Sequence, residues 1–235
     1  MAQTHSEGPR RAPSVVERIQ ELILRQGLRP GDPIPTEPEL MLQLGVSRSS
    51  VREAIRTLST LDIVSVRHGR GTTVGSMSMA PLVDGLLFRV RLNEGSDLRT
   101  LREVVHVRKA LDVSVTDELL AAYRGTENPE LAATVDRMRV LAEGGESFAE
   151  ADSAFHALLL KPLDNELIKQ LGHAFWEIHT AAQPLLQIPP AEDILDTVDA
   201  HQAMLDALEA GDEAAYHAAV VAHYRPLERV LAGHL

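Results

Sequence analysis

Four side chains in the C-terminal half of the sequence have the types and the spacing of a metal site. Asp152 and His156 are four residues apart, so on a helix both side chains point to the same side. His201 and His223 lie about ten residues before and about twelve residues after a turn predicted at residues 211–212. At a rise of about 1.5 Å per residue, both are about 15–18 Å from that turn and level on an antiparallel helix pair. Three imidazoles and one carboxylate predict a site for Zn²⁺, with Ni²⁺ or Mn²⁺ as alternatives, that leaves positions open for a further ligand.

A second group of side chains, rich in serine and arginine, lies in the N-terminal third of the chain. It comprises Ser47, Arg48, Ser49, Ser50 and Arg52. In a helix-turn-helix the second helix enters the major groove with its N-terminus first, where free N–H groups and hydroxyls meet phosphates. Arg48 and Arg52 share one helix face, and an arginine can bind O6 and N7 of a guanine together. The group predicts a DNA-reading helix; the alternative is a solvated, charged helix without a role in DNA binding.

Helix-capping residues show which elements position the serine and arginine group. Two capping boxes, Ser14-x-x-Glu17 and Thr36-x-x-Glu39, open the first two predicted helices. The third predicted helix covers residues 48–60, where Ser47 is its N-cap.

A predicted β-hairpin follows the third helix. Residues 63–66 and 72–74 are rich in β-branched side chains and are separated by a glycine-containing turn. A helix, a helix-turn-helix and a hairpin, in that order, are typical of a winged helix. We therefore expect a winged helix-turn-helix domain over residues 14–75, preceded by a disordered tail over residues 1–13.

The remainder of the chain is predicted to be helical. Residues 97–123 form a long amphipathic stretch that contains no glycine or proline. Breaks are predicted at residues 125–129, 144–145, 162–165, 184–190 and 211–212. This gives six or seven helices in an antiparallel bundle over residues 82–235, joined to the first domain by a linker at residues 76–81. The predicted fold class is mainly α.

Charge is distributed unevenly along the chain. Residues 1–78 carry 10 arginines and 8 acidic residues, whereas the rest carries 13 lysines and arginines against 26 acidic residues. An acidic protein with one locally basic module is not a general polyanion binder, although that module can dock on phosphates.

Composition excludes several classes of protein. The sequence has no cysteine, which excludes disulfides, thiolate metal sites and cysteine nucleophiles. No apolar run reaches about 18 residues, so we expect no membrane-spanning helix. Residues 1–13 lack the apolar core of a secretory signal, which predicts a cytoplasmic protein.

The N-terminal motifs resemble the GntR family of bacterial transcriptional regulators. The resemblance rests on Gly-Asp-Pro-Ile-Pro-Thr-Glu at residues 31–37, Leu-Gly-Val-Ser-Arg-Ser-Ser-Val-Arg-Glu-Ala-Ile-Arg at residues 44–56 and Gly-Arg-Gly at residues 69–71. It implies DNA contacts by Arg48, Ser49, Ser50 and Arg52 in the helix and by His68 and Gly69 at the wing tip, which reaches the minor groove. Pro38 stands where many members carry arginine, so one DNA contact of the family is missing here.

The C-terminal motifs resemble the FCD effector domain of FadR-type GntR regulators. The matching segments are residues 152–156, Asn165, residues 201–212 and His223. The resemblance implies that the aspartate and the three histidines hold a metal and that small carboxylates are the effectors. It also assigns effector binding to Arg108 and Asn165, with the Arg108 guanidinium projecting into the cavity of the metal. A guanidinium is well suited to bind a carboxylate because two of its N–H groups can donate hydrogen bonds to both carboxylate oxygens at once.

The sequence therefore predicts a regulator that is not an enzyme. We expect a homodimeric repressor that binds a short palindromic operator in double-stranded DNA, binds no membrane, and responds to a small organic acid. One alternative is a regulator for which the metal ion is itself the signal, although such a sensor has no need of Arg108. The other is a helical metallohydrolase, although no obvious general base accompanies the ligands. The remaining histidines, His106, His173, His179 and His217, are interpreted as surface or supporting residues.

Overall fold

The computed structural model describes residues 12–67, 69, 71–92, 98–185 and 194–232. Residues 1–11 of the predicted tail and His68 of the predicted wing tip lie outside these described residues. The chain divides into two compact units, Met1–Pro81 and Leu82–Leu235, and each contains its own apolar core. The described residues form eleven helices and two short strands, which confirms the predicted mainly α class.

The first unit is a winged helix-turn-helix. Its elements are α1 (Val15–Arg25), α2 (Glu37–Leu44), α3 (Arg48–Thr60), β1 (Val64–Arg67) and β2 (Gly71–Val74). Both predicted capping boxes are present: Glu17 accepts a hydrogen bond from the Ser14 N–H at 2.6 Å, and Glu39 accepts one from the Thr36 N–H at 2.7 Å. Each box satisfies N–H groups that the first turn of a helix leaves without partners, and so fixes where α1 and α2 begin.

The turn between α2 and α3 depends on one left-handed residue. Gly45 ends α2 with φ at 62°, a conformation that a side chain would strain. Two residues later, the Ser47 hydroxyl accepts a hydrogen bond from the Ser50 N–H at 3.2 Å and caps α3. The apolar face of α3, which includes Val51 and Leu58, is buried in the core of this unit, so its arginines remain outside.

The hairpin pairs β1 with β2 in antiparallel register. Val64 lies opposite Val74, and Arg67 lies opposite Gly71 at the tip. Residues 31–34 form hydrogen bonds with the other edge of β2, so the backbone groups of that edge are not free to pair with another strand.

The second unit is an all-helical bundle. Its helices are α4 (Ala80–Leu92), α5 (Arg99–Ser114), α6 (Thr116–Tyr123), α7 (Pro129–Glu143), α8 (Ala149–Leu160), α9 (Glu166–Leu185), α10 (Ile194–Ala210) and α11 (Glu213–Ala232). Helices α10 and α11 pack together around a turn at Gly211, where φ is 73°. Buried side chains from several helices, among them Phe155, Met204 and Tyr216, form one continuous core. In the described part of the chain, no helix is long and apolar enough to cross a membrane.

The expectation of six or seven helices in this bundle is wrong, because the described residues form eight. The amphipathic stretch at residues 97–123 divides at Val115, although it contains no glycine or proline. Two flanking hydroxyls lie at the break: Ser114 donates to the Leu111 carbonyl at 2.8 Å and Thr116 donates to the Val113 carbonyl at 2.7 Å. Local hydrogen bonds of this kind weaken and bend a helix without ending it by themselves.

Candidate functional site

Three helices of the second unit bring the four predicted metal ligands together. Helix α8 carries Asp152 and His156 on one face, α10 carries His201, and α11 carries His223. One ligand atom from each residue lies within 4.8 Å of the others, and all four side chains are buried. The ring centroids of His201 and His223 are 4.4 Å apart, as expected for two residues level on a helical hairpin. We refer to these four residues as the acceptor cluster.

Hydrogen bonding fixes which atom His201 presents to the cluster. Its Nδ1 is 2.8 Å from the Thr197 carbonyl oxygen, which can only accept, so Nδ1 carries the proton. In the neutral ring, Nε2 then has a lone pair, and it lies 2.9 Å from Oδ1 of Asp152. Two acceptor atoms at that distance repel each other unless a proton or a cation lies between them. A carbonyl that orients a histidine through its other nitrogen is the usual support of a metal ligand.

The ring nitrogens that face one another have no partners among the described residues. His156 Nε2, His201 Nε2 and His223 Nδ1 are buried and make no hydrogen bond there. An unpartnered buried polar atom costs about 1–3 kcal/mol, and three in one place point to a missing common partner.

Charge and burial favour the protonation states that bind metals. Burial lowers the pKa of His156 and His223 well below the usual value, and the nearby positive charge of Arg108 lowers both further. Burial alone would raise the pKa of Asp152, but its close contact with the His201 ring and the positive charge of Arg108 hold it well below the usual value. Neutral imidazoles and an ionised carboxylate are the forms that a divalent ion requires.

The distances fit an ion of the size of zinc. Ligand atoms that are bonded at about 2.1 Å to one ion are at most about 4.2 Å apart. The acceptor cluster spans 4.8 Å, so shifts of a few tenths of an ångström would bring all four atoms into bonding range. The second oxygen of Asp152 accepts a hydrogen bond from the Trp176 indole N–H, which leaves Oδ1 directed at the histidines.

A cavity of about 540 Å³ adjoins the acceptor cluster. Asp152 and His223 line it, and so does Arg108, which is 3% exposed. One terminal nitrogen of Arg108, Nη1, donates to Nδ1 of His179 at 3.1 Å, and the guanidinium carbon lies 5.4 Å from the ring centre of Tyr224. The other terminal nitrogen, Nη2, is buried without a hydrogen-bond partner in the described part of the chain.

The histidine beside Arg108 is neutral. Burial, and then the charge of Arg108, lower the pKa of His179 to about 3, so its ring can accept the hydrogen bond from the guanidinium. Tyr224 in turn donates to Asp112 at 2.5 Å. The lining of the cavity therefore includes a fixed positive charge, and one nitrogen of that guanidinium has no hydrogen-bond partner in the described part of the chain.

Asn165 does not lie in this cavity. Its side chain is exposed and accepts a hydrogen bond from the Ile168 N–H at 3.2 Å, at the start of α9. It serves there as a helix cap and is absent from the lining of the cavity.

Two residues that reach the site were not assigned to it from the sequence. From the sequence, His179 is predicted to be a surface or supporting residue, and Trp176 to belong to the core or to a pocket wall, without contact to the metal ligands. They lie three residues apart on α9 and both line the cavity. That spacing was the only available signal, because their contacts with Arg108 and Asp152 join distant parts of the chain.

The predicted DNA-contacting residues lie together at the start of α3. The hydroxyl of Ser47 lies 2.8 Å from that of Ser49 and 2.9 Å from that of Ser50. The side chains of Arg48 and Arg52 are 70% and 54% exposed. Gly69 is exposed at the hairpin tip with φ at 76°.

A carboxylate from the preceding helix contacts both arginines. Glu37 of α2 lies 3.2 Å from Nε of Arg48 and 3.8 Å from Nε of Arg52. The two arginines are therefore held side by side, on a face that solvent reaches.

Comparisons with known proteins agree with this architecture. The family profile described as "Bacterial regulatory proteins, gntR family" matches residues 11–74, and the FCD domain profile matches residues 103–226. A probable D-xylose utilization operon transcriptional repressor of Paenarthrobacter nicotinovorans is 30% identical, with 91% of this chain and 88% of the relative covered. A putative L-lactate dehydrogenase operon regulatory protein of Escherichia coli is 27% identical, with 92% and 84% covered. The solved structure of Streptococcus agalactiae GntR is 26% identical with a TM-score of 0.64, covering 92% of this chain and 97% of that one.

Proposed function

The chain belongs to the gntR family of bacterial regulatory proteins and is a transcriptional regulator with an FCD domain, and we propose that it is a repressor controlled by a carboxylate at a metal site. The family assignment confirms that it is a regulator and not an enzyme. In this proposal, residues 14–75 bind DNA and residues 82–235 bind metal and effector. Residues 76–81 connect them. The place of action is the cytoplasm, where the operator lies.

DNA reading is assigned to the exposed start of α3. Arg48 and Arg52 reach base edges, Ser47, Ser49 and Ser50 contact phosphates, and Gly69 at the wing tip reaches the minor groove. One winged helix makes few contacts, so a homodimer on a short palindrome doubles them. Light scattering tests the dimer: a monomer at micromolar concentration, with and without operator DNA, would refute it.

The acceptor cluster is assigned to a divalent ion, with zinc as the first choice and nickel or manganese as alternatives. The supporting observation is the set of three buried, unpartnered ring nitrogens around an ionised carboxylate. When bound, such an ion supplies positive charge and open coordination positions to an anionic ligand. Trp176 and the Thr197 carbonyl orient two of its protein ligands.

The effector is proposed to be a carboxylate because of the charge in the cavity. Arg108 carries a fixed positive charge and has one free donor, which can pair with a carboxylate oxygen. The names of the relatives refer to operons for different small molecules, so they do not identify the effector of this chain. The choice of a carboxylate rests on the charge of the site. A regulator that sensed only a metal ion would gain nothing from a second buried cation beside the metal.

Metal analysis and DNA binding test the proposal together. Protein purified without a chelator or a histidine tag is analysed for metal, and its binding to the intergenic DNA beside its own gene is measured with and without small carboxylates. The proposal predicts about one divalent ion per chain and a carboxylate-dependent change in DNA affinity. Metal-free protein that zinc, nickel and manganese all fail to stabilise would refute the metal site.

A further inference from the structure

We propose that the effector is a monocarboxylate with an extended apolar body, and not a polyhydroxy acid or a dicarboxylate. This inference rests on the proposed function of the cavity and adds the chemical class of its ligand. It follows from the shape of the cavity, from the side chains along it, and from the position of its charges.

The cavity is too large for a carboxylate head alone. Its volume of about 540 Å³ lies in the range of about 300–1,000 Å³ that accepts drug-sized ligands. Acetate or lactate bound beside Arg108 would leave most of that space to water. A ligand that fills the cavity must therefore continue well beyond its charged group.

The helices show in which direction the cavity continues. On α11, Leu227 and Val230 line it and lie four and seven residues after His223, which is about 6 and 10 Å along the helix. On α8, Phe148 lines it and lies four residues before Asp152, about 6 Å along. The cavity thus starts at the acceptor cluster and runs one to two helical turns away from it.

The walls of this extension are mainly apolar. Phe148, Leu227 and Val230 are joined there by Ala142, Pro184, Ile194 and Pro226. Four polar side chains, Ser147, Thr180, Gln183 and Thr197, also line the cavity, so only part of a polyhydroxy ligand would find partners. Its remaining hydroxyl groups would lose water against the apolar walls without compensation, which is costly. An alkyl or aryl body gains from burial there.

Charge opposes a second carboxylate at the far end of the ligand, away from the acceptor cluster and Arg108. Among the described residues that line the cavity, Arg108 is the single lysine or arginine. It lies at the end that contains Asp152 and His223. Besides Asp152 of the acceptor cluster, the described lining contains one further acidic side chain, Glu146, which is exposed and would repel a second carboxylate.

A series of acids tests this inference on the unmodified protein. Acetate, hexanoate, gluconate and glutarate are titrated calorimetrically into zinc-loaded protein. Burial of each methylene is expected to tighten binding about three- to fourfold, so hexanoate should bind on the order of 100-fold more tightly than acetate. Gluconate and glutarate should bind no more tightly than acetate.

Two variants on α11 locate the apolar body. Leu227→Gln is expected to weaken hexanoate about tenfold, since the body of the ligand loses an apolar partner, and to leave acetate unchanged. Val221→Gln is the matched control, because Val221 is 41% exposed on the same helix and does not line the cavity. Leu227→Met should restore hexanoate binding, which separates a contact with the ligand from damage to the fold.

The outcomes distinguish this inference from the proposed function. If gluconate or glutarate binds as tightly as hexanoate and this binding needs Arg108, the effector is not restricted to acids with an apolar body. The proposed carboxylate site would be unaffected by that result. Equal effects of Leu227→Gln and Val221→Gln on hexanoate would also overturn it. If no acid binds in a manner that needs Arg108 and metal, the proposed function fails and this inference fails with it.

Discussion

Replacement of Arg108 by methionine should remove effector binding while leaving the metal in place. Arg108→Met keeps much of the length and the apolar stem of the side chain but removes the guanidinium. Because Nη2 is buried without a partner among the described residues, it is the donor that a carboxylate would meet. The acceptor cluster keeps all four of its ligand atoms in this variant.

The size of the effect follows from the kind of bond that is lost. A hydrogen bond to a charged group contributes about 1.5–3 kcal/mol, and each 1.4 kcal/mol is a factor of about ten in affinity. Arg108 is 3% exposed, so solvent screens this interaction little. Binding of hexanoate to zinc-loaded protein should therefore weaken about 10- to 150-fold.

Calorimetric titration of hexanoate, with metal content measured on the same samples, tests this prediction. Arg99→Met is the matched control, because Arg99 lies on the same helix, is 74% exposed, and pairs with Glu103 at 2.9 Å. It should bind hexanoate as the unmodified protein does. If Arg108→Met also binds hexanoate unchanged, the guanidinium is not part of the effector site, whatever the metal content.

Three further substitutions have expected outcomes. His201→Ala removes a ligand whose ring is fully buried, so zinc affinity should fall more than about 100-fold in a competition assay with a chelator. Glu37→Gln removes the carboxylate beside Arg48 and Arg52, so affinity for unrelated DNA should rise up to about fivefold in fluorescence anisotropy while operator selectivity falls. Gly75→Ala would place a methyl group 2.1 Å from the Asp62 carbonyl oxygen, so the first unit should lose about 1–3 kcal/mol in urea unfolding.

Each of these substitutions has a control in the same unit. His106→Ala changes an exposed histidine and should leave zinc binding unchanged; equal losses in both histidine variants would contradict the assignment. Glu53→Gln changes an exposed carboxylate that pairs with Arg56 at 3.5 Å, and it should alter selectivity less than Glu37→Gln does. For Gly75→Ala the control is Gly45→Ala. A methyl group at residue 45 would have no other atom within 4 Å, but the backbone there has φ at 62°, so this variant measures backbone strain, whereas Gly75→Ala measures a steric clash. Unchanged stability of Gly75→Ala would refute the clash.

Local geometry explains why the metal ligands could be predicted from the sequence. Asp152 and His156 share a face because of their four-residue spacing. His201 and His223 are level because Gly211 sets a tight turn between two regular helices. The winged helix was predictable for the same reason, since its capping boxes and its turn glycines act within a few residues.

Contacts between distant segments could not be read from the sequence. The hydrogen bond from Arg108 to His179 joins α5 to α9 across 71 positions, and no spacing rule connects them. At the break at Val115, the hydroxyls of Ser114 and Thr116 both donate to carbonyls of α5, a choice of partner that no sequence pattern specifies. Asn165 matched a motif position, yet in the fold its side chain caps a helix.

The central claim is that a carboxylate acts on DNA binding through the metal site. Its most direct test is the operator affinity of zinc-loaded and chelator-treated protein, each measured by fluorescence anisotropy with and without hexanoate. The account predicts that hexanoate changes the affinity of the zinc-loaded protein about 5- to 150-fold and leaves that of the zinc-free protein unchanged. An equal response before and after metal removal, or no response of the zinc-loaded protein at hexanoate concentrations that saturate its cavity, would contradict it.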